Sequence, residues 1–259
     1  MAPAPAIPDG PDAAPTVSWD RFEAVLFDLD GVLTPTADIH LRAWTTMFDE
    51  FLVPRGLAPF SAADYHGYVD GKPRFDGVRS FLGSRDITLP DGEPDDAPGQ
   101  GTVAALGNRK NEVFQQVLRD DGIAPYPGSL LLLDDLARRH TKVAVVSSSR
   151  NAKEVLEASG LAPRFEVVAD GVVAADQHIA GKPSPDLFLA AARWLDVAPA
   201  DAVVVEDALS GVAAGRAGTF GLVIGVDRGV GHVALLENGA DIVVDDLGDL
   251  VATGDRDGA

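Results

Sequence analysis

The sequence predicts an α/β fold, in which a parallel β-sheet is flanked by helices and a helical domain is inserted into the chain. Three observations favour this fold. From Leu130 onward, short runs of valine, isoleucine and leucine alternate with stretches of helical character. Residues 37–122 show helical periodicity and little strand character. Several apolar runs end in carboxylate or hydroxyl side chains, which is where open parallel sheets place their ligand sites.

The predicted domain boundaries follow changes in composition along the 259 residues. Residues 1–17 are rich in alanine and proline, lack the basic start and apolar run of a signal peptide, and are predicted to be a disordered lead. The α/β domain is assigned to residues 18–36 and 123–251, and the helical domain to residues 37–122. Residues 252–259 are assigned to a flexible tail.

The first predicted strand is the apolar run Ala24–Phe27, which two carboxylates follow. Asp28 and Asp30 are two residues apart, so their side chains point to the same side of an extended backbone. Like charges about 4 Å apart repel by roughly 4 kcal/mol at an effective dielectric constant near 20. A divalent metal ion would offset that repulsion, and the alternative is a strand that ends in an ordinary Asp-Gly turn.

The predicted helical domain contains two amphipathic helices, at residues 37–51 and 102–118, and a capping box that begins at Ser61. Such an insert is either an inert subdomain or a cap that closes over the sheet and excludes water. The polar cluster from Gly71 to Arg74 favours a cap.

Further strands are predicted at residues 142–146, 202–205 and 221–225, and helices are predicted to include residues 154–159, 187–194 and 212–215. The alternation of these elements is typical of a sheet whose strands run in parallel.

Polar groups beyond these strands are candidate ligands, each with a plainer alternative. Ser147 and Ser148 lie where a helix begins, so they form an anion site, a helix N-cap, or both. Glu206 and Asp207 are carboxylates for a hard cation such as Mg²⁺, or an N-cap pair. Lys182, between glycine and proline, is a fixed cation beside Asp28 and a phosphate, or an exposed loop lysine.

Composition excludes several classes of function. The chain has 21 Lys and Arg against 40 Asp and Glu, a net charge of −19, which argues against nucleic acid as a partner but not against a small phosphorylated substrate. It has no cysteine and therefore neither a disulfide nor a thiolate metal site. Because no apolar run approaches the length of a membrane span, we expect a cytoplasmic protein without a membrane partner. We also expect a monomer.

Four segments, in this order, carry a resemblance to the haloacid dehalogenase-like superfamily of phosphotransferases: 27–36, 145–151, 181–186 and 204–211. The resemblance extends over about residues 22–251. Further segments are similar to the β-phosphoglucomutase branch: 38–44, 70–76, 108–111 and 126–128. The resemblance implies a Rossmann-like core with an inserted helical cap.

The resemblance also implies roles for the core residues. Asp28 is the nucleophile that forms an aspartyl-phosphate, which the chemistry of an exposed carboxylate supports. Asp30 is the general acid and base, and its backbone carbonyl faces the metal. Asp207 is the surer Mg²⁺ ligand and Glu206 the weaker, so the metal set is Asp28, Asp30, Glu206 and Asp207.

The remaining assignments by resemblance concern phosphate and substrate. Ser147, Ser148 and Lys182 bind the phosphate that is transferred, and Lys182 also assists catalysis. Residues that contact the substrate are His40, Trp44, Gly71, Lys72, Arg74, Lys110, Ser149 and Asn151. Among the cap residues, Arg74 and Lys110 match contacts to a second phosphate that is not transferred.

Two departures from the branch pattern stand out. Pro35 occupies a position where the branch commonly has aspartate, within the proposed hinge, and proline fixes φ and removes a hydrogen-bond donor. Gly77 stands where the branch often has a hydroxyl.

Three functions stay open on the sequence. The first is a β-phosphoglucomutase that interconverts β-glucose 1-phosphate and glucose 6-phosphate through a bound bisphosphate. The second is a Mg²⁺-dependent sugar-phosphate phosphatase, in which water accepts the phosphoryl group. The third is a protein that binds sugar phosphates without catalysis, against which the complete catalytic set argues.

Overall fold

The structure is a computed structural model that describes residues 16–69 and 72–251. The predicted tail and nearly all of the predicted lead lie outside the described residues, as does Gly71, one of the predicted substrate ligands. No helix in the described part of the chain is long and apolar enough to cross a membrane.

The chain divides into two compact units, Met1–Pro35 with Ala124–Ala259, and Thr36–Ile123. We call the first the α/β unit and the second the helical unit. The predicted insert at residues 37–122 differs from the helical unit by one residue at each end.

The strands and helices follow one another along the chain in this order: β1 (Ala24–Phe27), α1 (Thr36–Leu52), α2 (Ala62–Asp64), α3 (Arg74–Ser84), α4 (Val103–Asp121), α5 (Pro127–Arg138), β2 (Lys142–Val146), α6 (Ala152–Ala158), β3 (Val167–Ala169), α7 (Gly171–Asp176), α8 (Asp186–Trp194), β4 (Ala202–Glu206), α9 (Leu209–Ala217), β5 (Leu222–Val226), α10 (His232–Glu237) and β6 (Ile242–Val244). Short 3-10 and π-helical turns connect some of them.

The α/β unit contains one parallel sheet of six strands in the order β3-β2-β1-β4-β5-β6, which confirms the predicted fold class. β1 lies in the middle of the sheet, and its last residue, Phe27, is opposite Val145 of β2 and Val205 of β4. Residues that follow these three positions therefore meet at one edge of the sheet, the edge formed by the carboxyl ends of the strands.

The sheet is covered on both faces, which explains why its central strands are apolar throughout. All four residues of β1 are completely buried. On one face Leu26 packs in a cluster with Val204 and with Phe188 of α8. The next residue, Phe27, points to the opposite face, where its ring centroid lies 6.4 Å from that of Phe165. Continuous apolar strands of this kind are typical of parallel sheets between two helical layers.

The strand predictions were accurate to one residue. β2 has its predicted bounds, β4 extends one residue further to Glu206, and β5 is shifted by one residue. β3 and β6 were not predicted. Each has three residues and lies at an edge of the sheet, so neither gives a long apolar run.

The helical unit is organised around aromatic side chains. Phe48 of α1 stacks on Phe60 and contacts Phe81 of α3, with ring centroids 4.9 and 4.2 Å apart. α1 exceeds its predicted bounds by one residue at each end, whereas α4 begins one residue later and ends three residues later than predicted. The predicted capping box is confirmed, because the Ser61 hydroxyl accepts from the Asp64 N–H while the Asp64 carboxylate accepts from the Ser61 N–H.

Candidate active site at the ends of the central strands

Asp28 lies directly after β1, at the centre of the sheet edge. Its N–H donates to the Val205 carbonyl oxygen at 2.9 Å, so the strand pairing with β4 extends into the site. The Asp28 side chain is 9% exposed and its Oδ1 accepts a hydrogen bond from Lys182 Nζ. A carboxylate so placed can reach a ligand that approaches the edge of the sheet.

Lys182 contacts residues at the carboxyl ends of three neighbouring strands, β1, β4 and β2. Besides Asp28, its Nζ lies 2.5 Å from Glu206 Oε1 and donates to the Val146 carbonyl oxygen at 2.9 Å. The ammonium group therefore donates hydrogen bonds to Asp28 and to a backbone carbonyl and forms an ion pair with Glu206. The sequence prediction paired Lys182 with Asp28, and the structure adds Glu206 as a second carboxylate partner.

Burial and crowding disfavour the charged form of two carboxyl groups at this edge, Asp28 and Asp207. Burial raises the pKa of Asp28 to about 8, with Glu206 and Asp30 adding to the rise and Lys182 opposing it. Burial and the neighbouring carboxylates likewise raise the pKa of Asp207 well above its ordinary value. Burial disfavours the Lys182 ammonium, but Asp28 and Glu206 outweigh it and raise the pKa of Lys182.

Two glycines allow the acidic residues to approach the backbone. A Cβ added to Gly31 would lie 1.9 Å from Asp207 Oδ2, and Gly31 has a φ of 82°. A Cβ added to Gly211 would lie 1.8 Å from Glu206 Cδ. The Asp207 carboxylate therefore lies against the turn that follows Asp30, and Glu206 lies against the start of α9.

The donor set fits a hard divalent cation. Asp28 and Asp207 offer buried carboxylate oxygens, and oxygen ligands are those that Mg²⁺ prefers. Their pKa values are raised first by burial and then by the neighbouring carboxylates. Glu206 is engaged otherwise, since it pairs with Lys182 and its Oε2 accepts from the Ala208 N–H at 3.0 Å.

A second acidic group lies elsewhere in the α/β unit. Within the described ranges, three ligand atoms that all lie within 4.8 Å of one another occur at Asp227, His232 and Asp245, a set that includes none of the four predicted metal carboxylates. His232 Nε2 and Asp245 Oδ1 already share a hydrogen bond at 2.8 Å.

Asp30 and Ser147 meet between β1 and β2. The Ser147 hydroxyl, fully buried, lies 3.4 Å from Asp30 Oδ2 as a long hydrogen bond. The same Oγ accepts from the Ser149 N–H at 3.0 Å. Ser147 is thus placed beside the predicted acid–base residue, and its loop begins at the strand end where the phosphate is expected.

The rest of this loop folds on itself. The Ser149 hydroxyl accepts from the Asn151 N–H at 3.1 Å, and the Ser149 carbonyl accepts from Gly171. Asn151 is buried, whereas Ser148 is exposed. These hydrogen bonds hold the loop that carries the predicted phosphate and substrate ligands in one conformation.

In the helical unit, three of the predicted substrate residues form one cluster. Lys110 Nζ donates to His40 Nδ1 at 2.7 Å and lies 5.2 Å from the centroid of the Trp44 ring. Burial and the charge of Lys110 lower the pKa of His40 well below its ordinary value. His40 is therefore neutral with its proton on Nε2, because Nδ1 is an acceptor.

Two further predicted residues of this unit, Arg74 and Lys72, lie outside that cluster. Arg74 begins α3, and its Nη2 donates to Asn108 Oδ1 at 3.1 Å. Lys72 is exposed and donates to the Ser80 hydroxyl at 2.7 Å. Lys110, predicted as a phosphate contact, is only 4% exposed.

Sequence reasoning missed one residue of the α/β unit that contacts the site. Arg228 follows β5 and its Nε donates to the Gly31 carbonyl oxygen at 2.7 Å. The signal was present, because Asp227 and Arg228 follow an apolar run just as Glu206 and Asp207 do.

Comparisons with known proteins agree with this geometry. The model of the haloacid dehalogenase-like hydrolase family matches residues 22–219. A β-phosphoglucomutase of Mycobacterium bovis is 51% identical over 243 residues, which cover 90% of this chain and 92% of that protein.

Two solved structures are similar over nearly their whole lengths. The β-phosphoglucomutase of Clostridium difficile has a TM-score of 0.70 and 26% identity, with 89% of this chain and 93% of that chain covered. CbbY from Rhodobacter sphaeroides, in complex with xylulose-(1,5)bisphosphate, has a TM-score of 0.69 and 26% identity, with 90% and 98% covered.

Proposed function

Because the chain belongs to the haloacid dehalogenase-like hydrolase family, we propose that it is an intramolecular phosphotransferase that converts β-glucose 1-phosphate to glucose 6-phosphate through a sugar bisphosphate. The observation that carries the catalytic part is the buried pair of Asp28 and Lys182 at the end of the central strand. The similarity to a β-phosphoglucomutase over 90% of the chain supports the substrate.

In the first half-reaction a carboxylate oxygen of Asp28 attacks the phosphorus of the sugar bisphosphate. The bond from phosphorus to the sugar oxygen breaks, its electron pair stays on that oxygen, and Asp30 supplies the proton. When the phosphoryl group comes from the 1-oxygen, the sugar is released as glucose 6-phosphate. In the second half-reaction the 6-hydroxyl of β-glucose 1-phosphate attacks the aspartyl-phosphate, so the bisphosphate forms again. Asp30 takes the hydroxyl proton, and the Asp28 carboxylate leaves with the bonding pair.

The neighbouring groups hold and orient these reactants. The Lys182 ammonium lies against Asp28, where it offsets charge on the nucleophile and on the phosphoryl oxygens. Ser147 and the N–H groups of its loop lie beside Asp30, where they support binding of the phosphoryl oxygens.

Mg²⁺ is the proposed cofactor. Asp28, Asp207 and the backbone carbonyl of Asp30 would hold it, with Glu206 as a weaker partner. When bound, the ion neutralises charge on the phosphoryl group and orients it.

Removing Mg²⁺ with EDTA is expected to abolish turnover, and adding it back should restore turnover. Mg²⁺ should also raise the unfolding temperature of the wild-type protein, because it binds the folded state. In Asp207→Ala that stabilisation should be lost, whereas Asp134→Ala, at an exposed carboxylate of α5, should keep it. Full activity after exhaustive chelation would contradict the metal site.

The mutase and the phosphatase differ in the acceptor of the phosphoryl group. Phosphorus NMR of β-glucose 1-phosphate with the protein, Mg²⁺ and a trace of glucose 1,6-bisphosphate separates them. Glucose 6-phosphate as the product supports the mutase, and inorganic phosphate supports the phosphatase.

We also propose that Arg74 binds the phosphate that is not transferred. Loss of this charge-assisted contact in Arg74→Ala should lower mutase turnover by about 30- to 1000-fold. Hydrolysis of acetyl phosphate, which has no second phosphate, should hardly change. Both rates would be compared by phosphate release and by glucose 6-phosphate formation.

Arg79→Ala is the matched control, since Arg79 lies on the same helix and pairs with Asp76 and Asp91 on the surface. It should change neither rate. Equal losses in both assays for Arg74→Ala would mean that Arg74 supports the fold instead. A monomeric state, a cytoplasmic location and the lack of nucleic-acid or membrane partners stay predictions from the sequence.

A further inference from the structure

Arg228 joins three parts of the α/β unit through one guanidinium group. Its Nε donates to the Gly31 carbonyl oxygen at 2.7 Å, and its Nη1 donates to the Asp245 carbonyl oxygen at 2.9 Å. The guanidinium carbon lies 3.9 Å from the centroid of the Tyr126 ring. A planar group with fixed donor directions can make these three contacts at once, and the ammonium of lysine cannot.

The turn that Arg228 holds is the one that follows Asp30. The Gly31 N–H donates to the Thr34 carbonyl oxygen at 2.8 Å, and Asp30 forms a bridge with Thr34. Tyr126, on which Arg228 stacks, donates its N–H to the Leu33 carbonyl oxygen at 3.0 Å. Arg228 therefore contacts the turn at Gly31 directly and again through Tyr126.

Fold stability alone does not account for this arginine. Its Nη2 is buried and has no hydrogen-bond partner among the residues that the structure describes, and burying an unpaired donor is unfavourable. Burial of Nη2 therefore destabilises the fold, while the other two nitrogens of the side chain donate hydrogen bonds to backbone carbonyls. What the side chain fixes is the direction of the peptide that joins Gly31 to Val32, in the turn that follows Asp30.

We propose that Arg228 is a positioning residue that holds Asp30 in the orientation needed for proton transfer. This inference rests on the proposed function of Asp30, which protonates the sugar oxygen as its bond to phosphorus breaks. If the turn loosens, the electron pair left on the sugar oxygen receives its proton less readily. A donor with a weakly basic leaving group, such as p-nitrophenyl phosphate, needs no such proton.

The experiment compares two donors in Arg228→Lys and Arg228→Met. The rate with the sugar phosphate, relative to the rate at which p-nitrophenol is released in the first turnover, should fall at least about tenfold, since general acid–base catalysis contributes about 10²- to 10⁴-fold. Arg216→Lys and Arg216→Met are matched controls, because Arg216 also donates its Nε to a glycine carbonyl, that of Gly239, but on the surface. Their ratio should equal that of the wild type.

A second measurement does not depend on turnover. Amide hydrogen exchange over residues 29–34 should speed up in both Arg228 variants and stay unchanged in the Arg216 variants, because the Gly31 N–H is protected only while the turn is closed. Unchanged exchange, or equal losses with both donors, would overturn the proposal. If Arg228→Met does not fold, Arg228→Lys is judged by the same criteria.

The two proposals fail in different ways. If the wild-type protein makes no glucose 6-phosphate but hydrolyses sugar phosphates, the proposed mutase activity is wrong. The comparison of sugar phosphate with p-nitrophenyl phosphate still tests the role of Arg228 in that case. If the wild type acts on neither sugar phosphate nor p-nitrophenyl phosphate, the exchange measurement alone decides whether Arg228 holds the turn.

Discussion

Asp28→Asn is expected to lower turnover by about 10³-fold or more while the protein stays folded. An amide cannot form the acyl-phosphate, so both half-reactions lose their common intermediate. The fold should survive because Lys182 keeps Glu206 as a partner and the substitution removes one of several crowded carboxylates. Steady-state kinetics, together with mass spectrometry of the phosphorylated protein after rapid quenching, measure the effect.

Asp176→Asn, at an exposed position in α7, is the control and should keep full turnover and a phosphorylated intermediate. If Asp28→Asn kept a tenth of the wild-type rate, or still gave a phosphoprotein that hydroxylamine cleaves, another residue would have to be the nucleophile.

Lys182→Met is expected to destabilise the fold and to reduce turnover. Removing one partner of a buried ion pair commonly costs about 3–5 kcal/mol, and here it leaves Asp28 and Glu206 side by side without their shared cation. Turnover should fall by about 10²- to 10³-fold, because a fixed charge at the reacting group is lost. Urea unfolding gives the change in stability, and kinetics give the change in rate.

Lys142→Met provides the comparison, because Lys142 also donates to a backbone carbonyl, that of Leu195, yet is exposed. It should change stability little. In Lys182→Met with Glu206→Gln, part of the lost stability should return while turnover stays low. No recovery in this double variant would show that the cost comes from lost packing and not from uncompensated charge.

The order of strands and helices could be predicted because the apolar runs are long and regular. β2 was predicted with its observed bounds, and β4 missed only Glu206, whose charge hid the fact that it ends a strand. β3 and β6 escaped prediction since three-residue edge strands are too short for a pattern to be recognised.

The candidate site could be predicted as a set of residues, but not as a set of contacts. A residue at a strand end has a known location, because parallel strands end at a common edge. The partner of a long side chain depends on which groups lie within its reach in the folded protein. The pairing of Lys182 with Glu206 was therefore not predicted. Arg228 was missed although it follows an apolar run, because that position does not show that its guanidinium binds a backbone carbonyl, the one at Gly31.

The position of β1 in the middle of the sheet has a consequence for folding during synthesis. β1 ends at Phe27, but its neighbours begin at Lys142 and Ala202, after the whole helical unit has been made. β1, an apolar strand, therefore stays unpaired at both edges until the partner strands have been synthesised. Because these partners are distant in sequence, the pairings form slowly. We expect the α/β unit to complete its sheet late, and unpaired β1 to be the segment most exposed to aggregation before then.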